Sequence, residues 1–99
     1  MSAFDPILLS QVRLGVVSLL LSRKEATFSD LRALLGLTQG NLGMHVQKLE
    51  EAQYIAVKKS FAGRKPRTTF RLTAKGRRAF LAHVEGLKRI VEEADGGGG

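Results

Sequence analysis

The sequence contains no cysteine and no tryptophan, and only one tyrosine and two prolines occur among its 99 residues. Without cysteine, the chain can form neither disulfide bridges nor zinc–thiolate sites, and it has no thiol for catalysis. Proteins of reducing compartments do without disulfides. The composition therefore excludes a small disulfide-stapled fold, and we expect a cytoplasmic protein.

The sequence also lacks an apolar run long enough to span a bilayer. Its most apolar stretch extends from Ile7 to Leu21, and polar residues that include Arg13 and Ser18 interrupt it. A transmembrane helix needs about 20 predominantly apolar residues, and a secretory signal needs a basic start and a cleavage site. The sequence therefore predicts no membrane-spanning segment and no membrane partner.

Acidic residues are scarce in the second half of the chain. The formal net charge is +7 with a pI of about 10.4, and residues 51–99 carry eleven basic residues against five acidic ones. Between Lys58 and Arg78 there are nine basic residues and no acidic residue. An excess concentrated in this way suggests a polyanionic partner, with nucleic acid ahead of a membrane surface.

Asp5 and Pro6 mark the start of a first helix, because Asp is a favoured N-cap and Pro fits the first helical position. This helix is predicted to run to about Ser22. Its apolar residues cover nearly the whole circumference, so the helix needs cover on more than one side. A second subunit could provide that cover, which we favour, or the helix could be central and wrapped by its own domain.

A second and a third helix follow, joined by a short turn. After a short extended segment at 26–28, Ser29 is expected to cap the second helix and Gly36 to end it. Thr38 then caps the third helix, which carries one narrow apolar stripe. The stripe consists of Leu42, Val46 and Leu49. Residues 29–53 therefore have the pattern of a helix-turn-helix.

A β-hairpin is predicted after the third helix, over residues 54–72. Two β-prone segments flank a turn at 62–66, where Gly63 permits a positive φ and Pro66 restricts the return of the chain. The inner face of the hairpin is expected to hold Ile55, Val57, Phe70 and Leu72.

Thr73 is expected to cap a fourth helix that ends near Ala94, and residues 96–99, all glycine, are predicted to be a disordered tail. Residues 1–95 are predicted to form one domain. Apolar residues recur along the fourth helix with heptad spacing, which favours a seam against another helix. We therefore predict a homodimer interface between this seam and the first helix. The predicted interface residues are Leu8, Val12, Leu19, Phe80, Val84, Leu87 and Val91.

Three phrases carry a family resemblance: L-T-Q-G-N-L at 37–42, L-E-E-A-Q-Y-I at 49–55 and T-T-F-R-L-T-A-K-G-R at 68–77. With them, the stretch from Ala26 to about Phe80 resembles the winged-helix transcriptional regulators, close to the MarR-like group and its small stand-alone members. The resemblance implies a mainly α fold with a small β-hairpin, in the order α-(β)-α-α-β-β-α with a long C-terminal dimerisation helix. It also implies a homodimer that binds double-stranded DNA.

The sequence departs from that group at two positions. Gln53 stands at the end of the third helix, where such sequences often have Gly, and Gly43 stands where many members have a small hydroxyl residue. The first departure bears on where the third helix ends. The second removes one contact that the resemblance would place on phosphate or base.

The exposed side of the third helix is the candidate reader of DNA sequence. Gln and Asn can pair with adenine edges and Met can contact a thymine methyl group, while Thr38 and the amides after it suit a phosphate. Two glycines on this side would allow close approach to DNA, or would reflect loose packing. His45 is interpreted as a packing residue. The candidate DNA-binding residues are Thr38, Gln39, Gly40, Asn41, Gly43, Met44, Gln47 and Lys48.

The tip of the hairpin is the candidate wing, which the resemblance places on the DNA backbone or in the minor groove. Narrow A·T minor grooves attract basic side chains. The alternative is a basic hairpin that contacts only solvent, and the preceding helix-turn-helix favours DNA. The candidate wing residues are Lys58, Lys59, Arg64, Lys65 and Arg67.

The sequence thus predicts a sequence-specific double-stranded DNA-binding transcriptional regulator, a repressor acting as a homodimer. The alternative is a winged helix used for protein–protein or RNA binding. Glu50 and Glu51 are adjacent on a helix and therefore point apart, so they do not form an acid/base pair. No catalytic residue, metal site or cofactor is predicted, and no motif indicates a small-molecule effector.

Overall fold

The structure is a computed structural model that describes residues 5–97, with side chains described for residues 5–95. A short 3₁₀ helix precedes four α-helices and three strands. In chain order the elements are the 3₁₀ helix Pro6–Leu9, α1 Gln11–Ser22, β1 Ala26–Thr27, α2 Phe28–Leu35, α3 Gln39–Glu51, β2 Ile55–Ala62, β3 Lys65–Leu72 and α4 Ala74–Gly97. This order is that of a winged helix-turn-helix, as predicted.

The predicted start of the first helix is confirmed, but the predicted continuous helix is wrong. The Asp5 carboxylate accepts from the Ile7 amide at 2.9 Å and caps the 3₁₀ helix. The backbone is extended at Ser10, whose hydroxyl accepts from the Arg13 amide at 3.3 Å and starts α1. A serine hydroxyl competes for backbone hydrogen-bond partners in this way, so serine is favoured at helix caps over helix interiors. The Arg13 side chain spans the break by donating from Nε to the Ile7 carbonyl at 2.6 Å.

The cap of α2 is Thr27, two residues before the predicted Ser29. The Thr27 hydroxyl accepts from the Asp30 amide at 3.0 Å, and the Asp30 carboxylate accepts from the Thr27 amide at 3.2 Å. This reciprocal capping box satisfies two amides that the first turn would leave without partners. At the other end Gly36 has a φ of 64° and ends the helix, as predicted.

Helix α3 begins as predicted, since the Thr38 hydroxyl accepts from the Asn41 amide at 3.2 Å. Its apolar stripe is buried as predicted, and Leu42 and Leu49 have no exposed surface. The helix ends through Gln53, which has a φ of 64° and is the one non-glycine residue with a positive φ in the described chain. A glycine is usual in this conformation because a side chain there is strained.

The three strands form an antiparallel sheet in the order β1-β3-β2. Ile55 lies opposite Leu72 and Val57 opposite Phe70, and all four pack in or against the core, as predicted. The turn is shorter than predicted, because β2 extends to Ala62 and β3 begins at Lys65.

Helix α4 starts after Thr73, whose hydroxyl accepts from the Gly76 amide at 3.0 Å, as predicted. The helix continues to Gly97 and not only to about Ala94. The prediction of a disordered tail was therefore wrong for the two glycines at 96 and 97, because their amides can still donate to carbonyls one turn earlier. The last two residues of the predicted tail lie outside the described residues.

Helix α1 lies at the centre of the core, where Val16 and Val17 have no exposed surface. It contacts α2, α3, α4 and β3. Its own domain therefore covers most of the apolar surface of α1, as in the second of the two predicted arrangements. Leu8 is also fully buried within the chain. This corrects its assignment to the dimer interface, since a side chain without accessible surface has none to bury against a partner. Val12 and Leu19 are half-buried.

Candidate nucleic-acid interface

The outward side of α3 is polar and free of acidic side chains over its first three turns. Gln39, Gly40, Asn41, Gln47 and Lys48 are exposed. Met44 lies among them with 52% of its surface exposed. The predicted reading residues therefore share one accessible face, opposite the buried stripe, with the exception of the half-buried Gly43.

The two glycines of this face have no internal reason to be glycine. A Cβ atom added at Gly40 or Gly43 would meet no other atom within 4 Å, and neither residue has a positive φ. Glycine costs a helix about 1 kcal/mol relative to alanine. Packing within the chain does not require glycine at these two positions. Close approach of another molecule to the start of α3 would explain why glycine is present despite its cost to helix stability.

The N-terminus of α3 also favours an anion. The hydroxyl of Thr38 satisfies the Asn41 amide, whereas the amides of Gln39 and Gly40 belong to the first turn, which has no intrahelical acceptors. These amides and the helix dipole favour negative charge at this end.

The wing is the outer half of the β2–β3 hairpin. Strand β1 pairs with β3 only at Thr69 and Phe70, so beyond these residues the hairpin is a two-stranded ribbon. Its tip is the turn at Gly63, which has a φ of 67°. The predicted wing residues Lys58, Lys59, Arg64, Lys65 and Arg67 are all exposed. Five of the sixteen basic residues of the sequence therefore lie on a projecting element.

A groove of about 430 Å³ joins the base of the wing to the helix-turn-helix. Gln39 at the start of α3 and Arg67 on β3 line its two sides, and Ser29 and Thr68 also lie along it. Sequence reasoning placed Ser29 only as a cap and did not single out Thr68. The pairing of Thr27 with Thr69, which brings α2 beside β3, decides this arrangement, and no local sequence pattern reports it.

Helix α3 is held against α1 by a polar contact. Arg13 Nη1 lies 3.0 Å from His45 Nδ1, and since arginine has only donors, the histidine nitrogen accepts. Burial lowers the pKa of His45 below its ordinary 6.5, and the charges of Arg13 and Lys48 lower it further. The ring is therefore neutral at pH 7. His45 packs against α1, in agreement with its interpretation from sequence.

A second polar cluster fixes the base of the wing. The Tyr54 carbonyl accepts from the Thr73 amide and hydroxyl, each at 3.0 Å. The Tyr54 hydroxyl donates to the Asp5 carboxylate. Burial, with the Asp5 hydrogen bond and charge, raises the pKa of Tyr54 to about 12. The contact links the start of the hairpin to both the chain start and α4.

Helix α4 carries exposed apolar residues on the side predicted to face a partner. Val84, Leu87 and Val91 are 40%, 41% and 59% exposed, and Phe80 is half-buried against α1. A mainly apolar groove of about 280 Å³ runs between α1 and α4, lined by Leu14 and Gly15 on one side and Phe80 and Val84 on the other. From residue 87 to residue 95 every side chain of α4 is exposed.

Among residues 5–97, no group of three histidine, aspartate or glutamate side chains is placed to hold a metal ion. Over the same residues, no helix is both long and apolar enough to cross a membrane.

The chain belongs to the winged helix DNA-binding domain family, whose model matches residues 12–91. It is similar to the uncharacterized protein MJ0432 of Methanocaldococcus jannaschii, with 37% identity over 86 residues, 87% of this chain and 94% of that protein. Its structure is similar to that of the transcriptional regulator homologue protein from Pyrococcus horikoshii OT3, with a TM-score of 0.84, 36% identity, and coverage of 90% of this chain and 88% of that chain.

A more distant structural neighbour is the transcriptional regulator BldR from Sulfolobus solfataricus, with a TM-score of 0.71 and 22% identity over 86% of this chain and 60% of that chain. At this identity the likeness shows the fold. The predicted resemblance to winged-helix, MarR-like regulators and the predicted fold class are both confirmed. The family and fold are those of DNA-binding transcriptional regulators.

Proposed function

We propose that this protein is a sequence-specific double-stranded DNA-binding transcriptional repressor that acts as a homodimer. The observation that carries the proposal is the groove between α3 and the wing, which Gln39 of α3 and Arg67 of the wing both line. A duplex strand lying in this groove would have α3 in the major groove on one side and the wing on the other. Both elements could then contact the same duplex at once.

In this arrangement α3 reads the sequence. Gln39, Asn41 and Gln47 can exchange hydrogen bonds with base edges, and the half-exposed Met44 can contact a thymine methyl group. Gly40 lies on the same outward face, where the missing side chain allows the helix backbone to approach the bases. Lys48, one turn further along, can bind a phosphate.

The wing supplies most of the charge. Its exposed Lys and Arg residues have no acidic neighbour in the sequence from Lys58 to Arg78. Each phosphate that they neutralise releases counterions, so the affinity should fall steeply with salt. Contacts of this kind position the protein on the duplex without reading the sequence.

The exposed seam of α4 supports the homodimer. Val84, Leu87 and Val91 repeat at heptad spacing on a helix that extends beyond the chain's own core. A partner's seam pairing with this one, beside the groove between α1 and α4, would remove this apolar surface from water. Two-fold symmetry then requires two half-sites about one helical turn apart, roughly 10 bp.

Occupation of two such half-sites is sufficient for repression, because a bound dimer would block access of other proteins to the same duplex. The proposal therefore needs no contact with the transcription machinery. A reporter gene with the selected site placed over its promoter should be transcribed less when the protein is present. Increased transcription from that promoter would contradict the repressor assignment.

Selection of bound duplexes from random DNA tests the proposal directly. We expect enrichment of a site with two related halves, and gel shifts with this site should weaken steeply as KCl is raised. Arg64→Ala should bind this site more weakly, whereas Arg89→Ala, which removes the same charge from an exposed position on α4, should bind as the wild type does. Absence of duplex binding at low salt would overturn the proposal, and stronger binding to single-stranded RNA of the same sequence would favour the RNA alternative.

A further inference from the structure

An apolar pair lies near the tip of the wing, away from the core. Phe61 on β2 is directly opposite Pro66 on β3, and 75% of the Phe61 surface is exposed. Only the pair of Ala62 and Lys65 separates them from the turn. Within residues 5–97, no third strand pairs with β3 at this level, because β1 reaches only Thr69 and Phe70.

The pair continues the core face of the sheet beyond the core. Side chains alternate along a strand, so Phe61 shares its face with Ile55 and Val57, and Pro66 shares that face with Phe70. Pro66 also lines the groove that contains Gln39 at the start of α3. The apolar pair is therefore on the side of the wing that faces α3.

Single exposed apolar residues are common on protein surfaces, but the surroundings of this pair are unusual. Exposed Lys59, Arg64, Lys65 and Arg67 flank it, and the nearby sequence has no acidic residue. The core of a protein–protein interface is depleted of charge, so this mixture does not fit a protein partner. Proteins that bind the DNA minor groove combine basic side chains with apolar wedges such as Phe and Pro.

We propose that Phe61 and Pro66 enter the minor groove of the duplex next to the major groove that α3 reads. The inference rests on the proposed DNA binding. Phe61 contacts the edges of a base step as an apolar wedge, and Pro66 contacts the adjoining sugars. Arg64 and Lys65 bind the flanking phosphates and hold the ribbon in the groove.

An apolar contact and a phosphate contact respond differently to salt. Removal of a phosphate-binding charge reduces the salt dependence of binding, whereas removal of an apolar side chain leaves it unchanged. Phe61→Ala should therefore weaken binding of the selected duplex by about tenfold at every KCl concentration. The slope of log K against log[KCl] should equal that of the wild type.

Two variants control for local effects. Phe61→Leu keeps an apolar wedge and should retain most of the affinity. Ser60→Ala changes the neighbouring position, whose side chain lies on the opposite face of the strand, and should bind as the wild type does. Light scattering should give Phe61→Ala the mass of the wild type, since a lower mass would assign Phe61 to contact with a second copy.

Base analogues locate the contact. Replacing guanine by inosine removes the 2-amino group from the minor groove and leaves the major-groove pattern intact. Inosine at the steps beside the α3 site should change the affinity of the wild type and leave that of Phe61→Ala unchanged. Equal responses of the two proteins would overturn the inference, as would equal affinities of the two proteins for the natural duplex.

The outcomes distinguish the inference from the function on which it rests. If the wild type binds no duplex at low salt, the proposed function fails. If the wild type binds and Phe61→Ala binds equally well, only the minor-groove wedge fails. Binding to anionic lipid vesicles is measured for comparison. If Phe61→Ala weakens binding to vesicles but not to the duplex, Phe61 acts at a membrane surface and the inference is overturned.

Discussion

At the scale of single residues, the fold leaves no room for a side chain at Gly76. A Cβ atom there would lie 2.2 Å from the Tyr54 carbonyl oxygen and 2.9 Å from Leu72 Cδ1. The oxygen belongs to the backbone at the base of the wing and also accepts from Thr73. The chain therefore needs glycine here for close approach of α4 to the hairpin.

Gly76→Ala should lower the free energy of unfolding by about 2 kcal/mol or more, because the overlap forces α4 and the hairpin apart. Gly40→Ala is the matched control, since its new methyl group meets nothing within 4 Å and alanine raises helix propensity. It should leave stability unchanged or raise it by up to about 1 kcal/mol. Urea denaturation measures both. A Gly76→Ala variant as stable as the wild type would show that the approach is not tight.

Gln53 holds a conformation that favours glycine, with a φ of 64°. Gln53→Gly should raise the free energy of unfolding by about 0.5–1 kcal/mol. The substitution relieves side-chain strain in the folded state, and the greater entropy of the unfolded chain offsets part of this gain. Gln47→Gly, at an exposed position within α3, should instead lower it by about 1 kcal/mol. Thermal melts of the two variants should therefore shift in opposite directions. A lower melting temperature for Gln53→Gly would contradict the strain.

His45 makes the stability depend on pH. Burial lowers its folded-state pKa below the ordinary 6.5, so near pH 6 the unfolded chain binds more protons than the folded one. This group's contribution is full above about pH 6.5 and declines as the pH falls from 6.5 through the lowered folded pKa. His45→Gln should therefore lose less stability than the wild type between about pH 7.5 and pH 5.5. Equal decreases in the urea midpoint of the two proteins would exclude His45 as the cause of the pH dependence.

At the scale of elements, α3 and the wing expose side chains of different chemistry. The outward face of α3 has hydrogen-bonding side chains and a single exposed cation, Lys48, whereas the wing is a cationic ribbon. Gln39 of α3 and Arg67 of the wing line the same groove. Substitutions in α3 should therefore change the sequence preference of binding, whereas substitutions in the wing should change its salt dependence.

Gln47→Ala should change which duplexes are selected and leave the salt slope as in the wild type, because a base-edge contact carries no counterion release. Arg64→Ala should weaken binding to all duplexes and reduce the salt slope by about one. Competition gel shifts over a KCl series measure both properties. An unchanged salt slope for Arg64→Ala would show that the tip of the wing is not on the backbone.

At the scale of the whole molecule, the fold leaves the apolar seam of α4 exposed. α1 is enclosed by its own domain, but the C-terminal part of α4 extends from it with Leu87, Ile90 and Val91 at least 41% exposed. Such a seam is unfavourable for a monomer in water. The seam therefore favours a dimer built mainly on α4.

The wild type should be a dimer by light scattering at micromolar concentration, and Leu87→Glu should be a monomer. Leu87 contributes little to the subunit's core, so the variant should remain folded. Arg89→Gln makes the same change of charge on the opposite side of α4 and should remain a dimer. A monomeric wild type would exclude the proposed dimer.

The features predicted correctly depend on interactions within a few residues. The Thr38 cap, the left-handed Gly36 and the buried stripe from Leu42 to Leu49 follow from side-chain hydrogen bonding and helical periodicity. The errors are also local: the predicted cap of the second helix is Ser29, whereas Thr27 with Asp30 forms the capping box, and Ser10 breaks the first helix. In both cases a hydroxyl group accepts from a backbone amide three residues on, from Arg13 at Ser10 and from Asp30 at Thr27.

The sequence by itself determined the charge of the wing, the helix boundaries to within a few residues and the family. Only the tertiary structure decided that Leu8 is enclosed, that Gly76 contacts Tyr54 and that Gln39 shares a groove with Arg67. Caps, turns and periodicity act over about one helical turn. Burial and the pairing of β1 with β3 depend on segments about 40 residues apart, whose register is set by the packing of the whole core.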